Sequence, residues 1–147
     1  MDAPISLRSA RRKDAAAIAR LCAQLGYPVS AAQVTQRLDA LLQATDDNAL
    51  FVLTAQATAI GWIHVLHARH IEVAAFAEIA ALVIDEAHRN AHLGERLVDA
   101  AVEWAMAKGL ATLRVRANVV RADAHRFYRR LGFEMEKTQA VLRRRLG

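Results

Sequence analysis

Val83-Ile84-Asp85-Glu86-Ala87-His88-Arg89-Asn90-Ala91-His92-Leu93-Gly94-Glu95-Arg96-Leu97-Val98 is the stretch that decides the fold. The apolar run Ile79 to Ile84 has strand length and β-branched residues. A polar turn follows, Asp85 to His92. Leu93, Leu97, Val98, Ala101, Val102, Ala105 and Met106 then recur at helical spacing, and Gly109 stands where a helix ends. A strand therefore feeds a tight loop that opens a helix. The first amides of such a helix have no internal partners, and its dipole places positive charge there. Ends of this kind take phosphates, and Arg89 lies just before this one to add a formal charge. Gly94 lets a ligand approach the backbone closely.

Arg89-Asn90-Ala91-His92-Leu93-Gly94 resembles the pyrophosphate loop of the GNAT superfamily of acyl-CoA-dependent N-acetyltransferases, whose pattern is Arg/Gln-x-x-Gly-x-Gly/Ala. His92 stands where the first glycine is usual. If the backbone there needs a positive φ, His carries a steric cost, though a smaller one than a β-branched residue. Downstream, Asn118 and then Ala124-His125-Arg126-Phe127-Tyr128-Arg129-Arg130-Leu131-Gly132-Phe133 are similar to the superfamily's second coenzyme segment. The two segments stand in the right order and spacing. The region Glu78 to Phe133 carries them, while the N-terminal half has little signature.

At 147 residues the chain is expected to form a single domain, residues 1–147. A hydrophobic content of 54% with 24% charged residues describes a globular chain and excludes a disordered one. No apolar run is long enough to span a bilayer, and the N-terminus lacks a signal-peptide apolar region. The one cysteine, Cys22, permits no internal disulfide and reads as a small core residue. These features imply a cytoplasmic protein without a membrane partner. The net charge is +5, and arginine supplies 17 of the 20 basic residues. Such a surface suits a phosphate-rich ligand. No binding motif or interleaved aromatic set points to nucleic acid, so none is expected as a partner.

Along the chain, Ile5 and Leu7 alternate with polar residues as an edge strand would. Asp14 is placed to cap a helix with Ile18, Leu21, Cys22 and Leu25 inward, ended by Gly26 and Pro28. Ser30 with Gln33 is a capping-box signature for a second helix, with Val34, Leu38, Leu41 and Leu42 inward. Leu50 to Ala55 and Ile60 to Leu66 read as a hairpin around Gln56-Ala57-Thr58-Ala59, a turn with no Asn-Gly signal. His67 to His70 reads as a loop, and Ile71 to Ile84 as one long strand, bent near Ala74-Ala75. Leu113 to Arg116 alternates as a strand, Ala122 to Leu131 reads as a short helix, and Phe133 to Glu136 with Val141 to Leu146 as a last antiparallel pair. Pattern alone gives an α+β chain with a mixed sheet. The resemblance implies the GNAT fold: a central, mostly antiparallel mixed sheet flanked by helices, in the order β-α-α-β-β-β-α-β-α-β-β.

The resemblance also implies the chemistry, acetyl transfer from acetyl-CoA to a primary amine of a small molecule or peptide by direct attack in a ternary complex. Coenzyme contacts carry over to Leu82, Val83 and Ile84 of the strand. They also carry over to Arg89, Asn90, Ala91, His92, Leu93, Gly94 and Glu95 of the loop, and to Asn118 and Tyr128. A backbone N–H near Leu82 or Val83 would hold the oxyanion. Tyr128 takes the general-acid position, where a phenol can meet a departing thiolate. Glu78 takes the general-base position, and an apolar cleft would raise its pKa toward the working pH. Strand alternation puts Glu78 on one face with Ala80, Leu82 and Ile84. Its other reading is a solvent-facing carboxylate.

His64, His67 and His70 alternate faces in an extended segment, so no metal is expected. Asp85-Glu86 reads as exposed turn chemistry. The amine acceptor carries no signature, and a homodimer stays open. The rival function is a non-catalytic acyl-CoA-binding module that senses coenzyme or regulates a partner.

Overall fold

Among the described residues, five strands form one sheet in the order β1-β2-β3-β4-β5. The computed structural model describes residues 4–89, 92–117 and 119–147. The strands are β1 (Ile5–Ser9), β2 (Asn48–Ala55), β3 (Thr58–Ala68), β4 (Phe76–Ile84) and β5 (Leu113–Val115). The first four pair antiparallel, and β5 runs parallel to β4. The helices are α1 (Ala15–Gln24), α2 (Ala31–Gln43), α3 (Leu93–Ala107) and α4 (Ala122–Arg130). The described residues fall into two compact units, Met1–Val115 with the sheet and α1 to α3, and Arg116–Gly147 with α4.

Alternation along the strands explains which helices cover which face. Leu50 and Val52 of β2, Trp62 of β3 and Val83 of β4 pack with Ile18 and Leu21 of α1 and with Val34 and Leu38 of α2. The opposite face meets α3. A methyl group built on Gly61 would lie 2.7 Å from Ile84 Cδ1 and 3.5 Å from Leu97 Cδ1, so the α3 face closes directly over this glycine. Leu21, Leu53, Ile63, Leu97, Val52, Val65 and Val83 are fully buried between these layers. Each such side chain contributes about 1.5–3 kcal/mol relative to exposure.

Local chemistry accounts for the helix starts. At Ser30 the box closes as the sequence predicts: Gln33 N donates to Ser30 Oγ at 3.0 Å, and Ser30 N donates to Gln33 Oε1 at 3.0 Å. Asp14 acts differently from the expected cap. Its backbone is helical and its carboxylate accepts no bond from α1. It accepts instead from Arg11 N at 2.7 Å and takes both Arg8 nitrogens at 2.8 Å. The carboxylate fastens β1 to the start of α1.

Three strand expectations change. The β2–β3 turn contracts to Gln56-Ala57, with φ of 52° and 65°. Positive φ at both positions is the geometry whose twist suits a two-residue hairpin, so tertiary pairing imposes it without the usual Asn-Gly. β3 runs on through His67 and Ala68, which pair with Ala77 and Phe76, and so the chain must reverse before β4. Residues 69–75 make that reversal with Ile71 fully exposed, and the expected strand from Ile71 begins only at Phe76. Residues 133–147 form no strand. Val141, Leu142 and Leu146 are exposed there. A two-stranded hairpin that buries no apolar face is marginal in water, and the expected last pair lacks that support.

Candidate active site

β4 carries the site's framework, and one residue in it sets the geometry. His64 pairs with Ala81 but Val65 pairs with Ile79, so Ala80 is an extra residue, a β-bulge. The bulge shifts the alternation. Ala77 N donates to Thr112 O at 2.9 Å, on the β5 side. Asp85 N donates to Ile60 O at 2.8 Å, on the β3 side. Stepping by two from Asp85 turns the amides of Val83 and Ala81 toward β3 and those of Ile84 and Leu82 away from it. β5 pairs with β4 only at Ala77, Glu78 and Ile79. Beyond Ile79 that edge has no strand partner among the described residues. The Leu82 and Ile84 amides thus face an edge where an extended ligand can add as a strand.

The same bulge corrects the reading of Glu78. Glu78 pairs with Leu66, whereas Leu82 and Ile84 pair with Ile63 and Gly61. Leu66 and Ile63 lie on opposite faces of the continuous β3. Glu78 therefore shares its face with Ala81 and Val83, not with Leu82 and Ile84. It is half-buried there, beside Arg114 in the next strand. Arg114 in turn lies over the Phe76 ring, 4.0 Å from its centroid.

After β4 comes a short 3-10 turn, Glu86–His88, then exposed Arg89. Asn90 and Ala91 lie outside the described residues. His92 precedes α3 with φ 58° and ψ 21°, in the left-handed region. Its side chain makes no capping bond, and its Nδ1 lies 3.8 Å from Glu95 Oε2. The first-turn amides of α3, which have no partners within the helix, receive no cap from this side chain. Leu93 is buried and anchors this end of the helix, Gly94 is half-buried and Glu95 is exposed. His92 thus adopts the backbone that favours glycine. Replacing it by Gly is expected to raise stability by about 0.5–1 kcal/mol, net of the added freedom of the unfolded chain. Chemical denaturation of both forms measures this.

Asp85 departs furthest from its reading as exposed turn chemistry. Its side chain is only 16% exposed. It accepts from Ala87 N at 3.2 Å, from Gln24 Nε2 at 3.3 Å and from Arg20 Nη1 at 3.3 Å. The Ala87 backbone bond, with smaller help from Gln24 and Arg20, holds the carboxyl below the usual range against the cost of burial. The signal was legible in part: an Asp two residues before a turn amide favours such a bond.

In the second unit, Tyr128 sits on α4. Its ring meets Phe127 and Phe133 edge-on at 5.0 and 5.3 Å. Gly132 ends the helix at φ 93°, and Phe133 N donates to Tyr128 O at 3.1 Å. That glycine turn brings Phe133 back against Tyr128. Burial pushes the Tyr128 phenol up to about 12, opposed by the charge of Arg121. Asn118 lies outside the described residues.

The three histidines take separate partners. His64 Nε2 bonds Asn48 Oδ1 at 2.9 Å, His67 Nδ1 meets Arg69 at 3.2 Å, and His70 pairs with Glu72 at 3.4 Å. Among the described residues, no three His, Cys, Asp or Glu side chains are grouped to hold a metal. Burial also pushes the Cys22 thiol up, which disfavours it as a nucleophile.

The Acetyltransferase (GNAT) family model matches residues 15–133. The chain belongs to the GNAT family. It is an acyltransferase, and its mixed sheet and helices are the GNAT fold. The aminoglycoside N-acetyltransferase AAC(6')-Iy, solved with CoA, superposes with a TM-score of 0.86 at 18% identity, covering 99% of this chain and 98% of that one. Glucosamine-6-phosphate N-acetyltransferase from Arabidopsis thaliana gives a TM-score of 0.82 at 16% identity, over 95% and 98% of the two chains. A transcriptional regulator from Bacillus halodurans gives 0.83 at 20% identity, over 95% and 99%. At these identities the GNAT likeness of the structures concerns the fold. Comparison with curated protein sequences finds no match. No helix among the described residues of this GNAT chain is long and apolar enough to cross a membrane.

Proposed function

We propose that this GNAT acyltransferase moves an acetyl group from acetyl-CoA to a primary amine of a small molecule or peptide, by direct attack when both are bound. The observation that carries the reading is the first turn of α3, which the His92 side chain does not cap, following Arg89 and a strand whose Leu82 and Ile84 amides face an edge without a strand partner among the described residues. The donor set fits the coenzyme. Arg89 and the α3 amides would hold its phosphates, and the edge of β4 would bond its amide-bearing arm. Acetyl-CoA supplies the activated acyl group. The Leu82 N–H, directed to that edge, is the donor suited to the oxyanion. Glu78 would take a proton from the amine side, and the Tyr128 O–H would donate a hydrogen bond to the departing thiolate. The thiolate is the weaker base, since a thiol's pKa of about 8.5 lies below that of this phenol, so an O–H bond to it suffices.

Two of the structural neighbours are named for N-acetyl transfer to an aminoglycoside and to glucosamine-6-phosphate, and such amines head the acceptor panel. Calorimetric titration with acetyl-CoA and with CoA tests the coenzyme half directly. Arg89→Ala is expected to weaken both by about tenfold, the scale of one lost charge-assisted bond. Equal affinity of the wild type and Arg89→Ala would remove the phosphate role of this loop. The rival reading, a coenzyme-binding module without turnover, draws on the strained His92 at the loop. Coenzyme binding with no acetylation of any amine across the panel would favour it.

A further inference from the structure

We propose that Arg20 and Gln24 of α1 are positioning residues for the coenzyme loop, acting through Asp85. The inference rests on the reading of that loop as the phosphate site. Arg20 and Gln24 stand four residues apart and so share one face of α1. Arg20 Nη2 donates to Ala59 O at 3.1 Å, and Arg20 Nη1 reaches Asp85 Oδ2 at 3.3 Å. Gln24 makes two bonds to successive residues: Nε2 donates to Asp85 Oδ1 at 3.3 Å, and Oε1 accepts from Glu86 N at 2.9 Å. Asp85 itself holds the turn through Ala87 N. Its other charged neighbour is His88, with Nδ1 3.9 Å from Oδ2.

The bonds to Asp85, Glu86 N and Ala87 N fall on the first three of the four residues that join the end of β4 to Arg89. The direction of Arg89, and the distance from the Ile84 amide to the first turn of α3, depend on how that short connection leaves the sheet. Side chains of α1, far earlier in the chain, fix it with bonds to the Asp85 carboxylate and the Glu86 N–H, while Arg20 is also tied to Ala59 O of β3. Gln24 is placed as a splint. Its amide is the side chain that can give to a carboxylate and accept from an N–H at once. A glutamate there would keep the acceptor for Glu86 N and set a second negative charge against Asp85.

The test uses the full chain, acetyl-CoA as the titrant, and the variants Gln24→Ala, Gln24→Glu, Arg20→Ala and Asp85→Ala. Each is expected to weaken acetyl-CoA binding by roughly tenfold, the equivalent of one or two lost hydrogen bonds. At saturating acetyl-CoA, kcat should stay within about twofold, so the loss appears in KM. Arg20→Lys, which keeps the charge, should recover part of it. The Arg20→Ala/Asp85→Ala double variant should bind no worse than Asp85→Ala alone. Melting temperatures identify any variant that fails to fold, and Gln24→Glu, nearly the same size, then carries the test. Variants that lose stability yet bind acetyl-CoA as the wild type does would overturn the inference alone. A wild type that binds no acetyl-CoA would overturn the loop reading and the inference with it.

Discussion

Tyr128→Phe is expected to lower turnover by about 100-fold or more, the usual contribution of a positioned general acid, and to leave acetyl-CoA affinity nearly unchanged. The substitution removes one oxygen. The ring contacts with Phe127 and Phe133 do not need it, so the fold of α4 should hold. Steady-state rates beside calorimetric binding separate the two effects. A full loss of binding with kcat retained would remove the acid role. The pH dependence adds a sign. Burial pushes this phenol up to about 12. It therefore stays protonated far above neutrality, and the rate should show no loss of this acid below about pH 11. The linkage runs the same way. The folded value exceeds the unfolded one, so the fold favours the neutral phenol. That contribution is complete below about pH 10 and is lost as pH rises through 12.

Asp14→Ala is expected to cost about 2–3 kcal/mol of stability, or roughly 5–10 °C in melting temperature. The carboxylate is buried, takes a two-pronged bond from Arg8 and accepts from Arg11 N. Removing it leaves Arg8, whose side chain is only 22% exposed, without that counter-charge. Burial raises this carboxyl's pKa, but the bonds from Arg8 and Arg11 outweigh it, and the net value lies below the ordinary one. The sign follows: the contribution is present above the unfolded value near 4 and is lost as pH falls through the lower folded value. Acid unfolding of the wild type should steepen in that window, and the Asp14→Ala protein should lack the step. Stability equal to wild type at pH 7 would contradict the account.

How far the chain could be read depended on whether a signal was local. Ser30 and Gln33 announce their box because both partners lie within one helical turn. The Ile79–Ile84 run, the loop and the α3 periodicity are local in the same way, and they led to the fold and to the site's framework. Asp85 was misread as exposed because two of its partners, Arg20 and Gln24, lie over 60 residues away. The Gln56-Ala57 turn gave no warning, since pairing along β2 and β3 imposes a conformation that its own residues do not favour. The hairpin expected after Phe133 had the pattern of strands but no buried face to support it. The face of Glu78 was unreadable for a different reason. Nothing in Glu78-Ile79-Ala80-Ala81-Leu82 marks Ala80 as the residue outside the ladder.

That extra alanine makes β4 a strand governed by counting. Its side chain is exposed, so replacing Ala80 changes little that the sheet depends on. Deleting it would set Ile79 beside Ala81, whose partners Val65 and His64 are already consecutive, so every pair and every face would be kept. Drawing Ala80 into the ladder instead would impose simple alternation on the full count between Ala77 and Asp85. If the pairing with β3 then held on the Asp85 side, Glu78 would change faces. If it held on the Ala77 side, the Leu82 and Ile84 amides would turn inward and the open edge would present their neighbours. Along this stretch the number of residues held in the ladder, and not their kind, decides which face Glu78 takes and which amides stay at the edge.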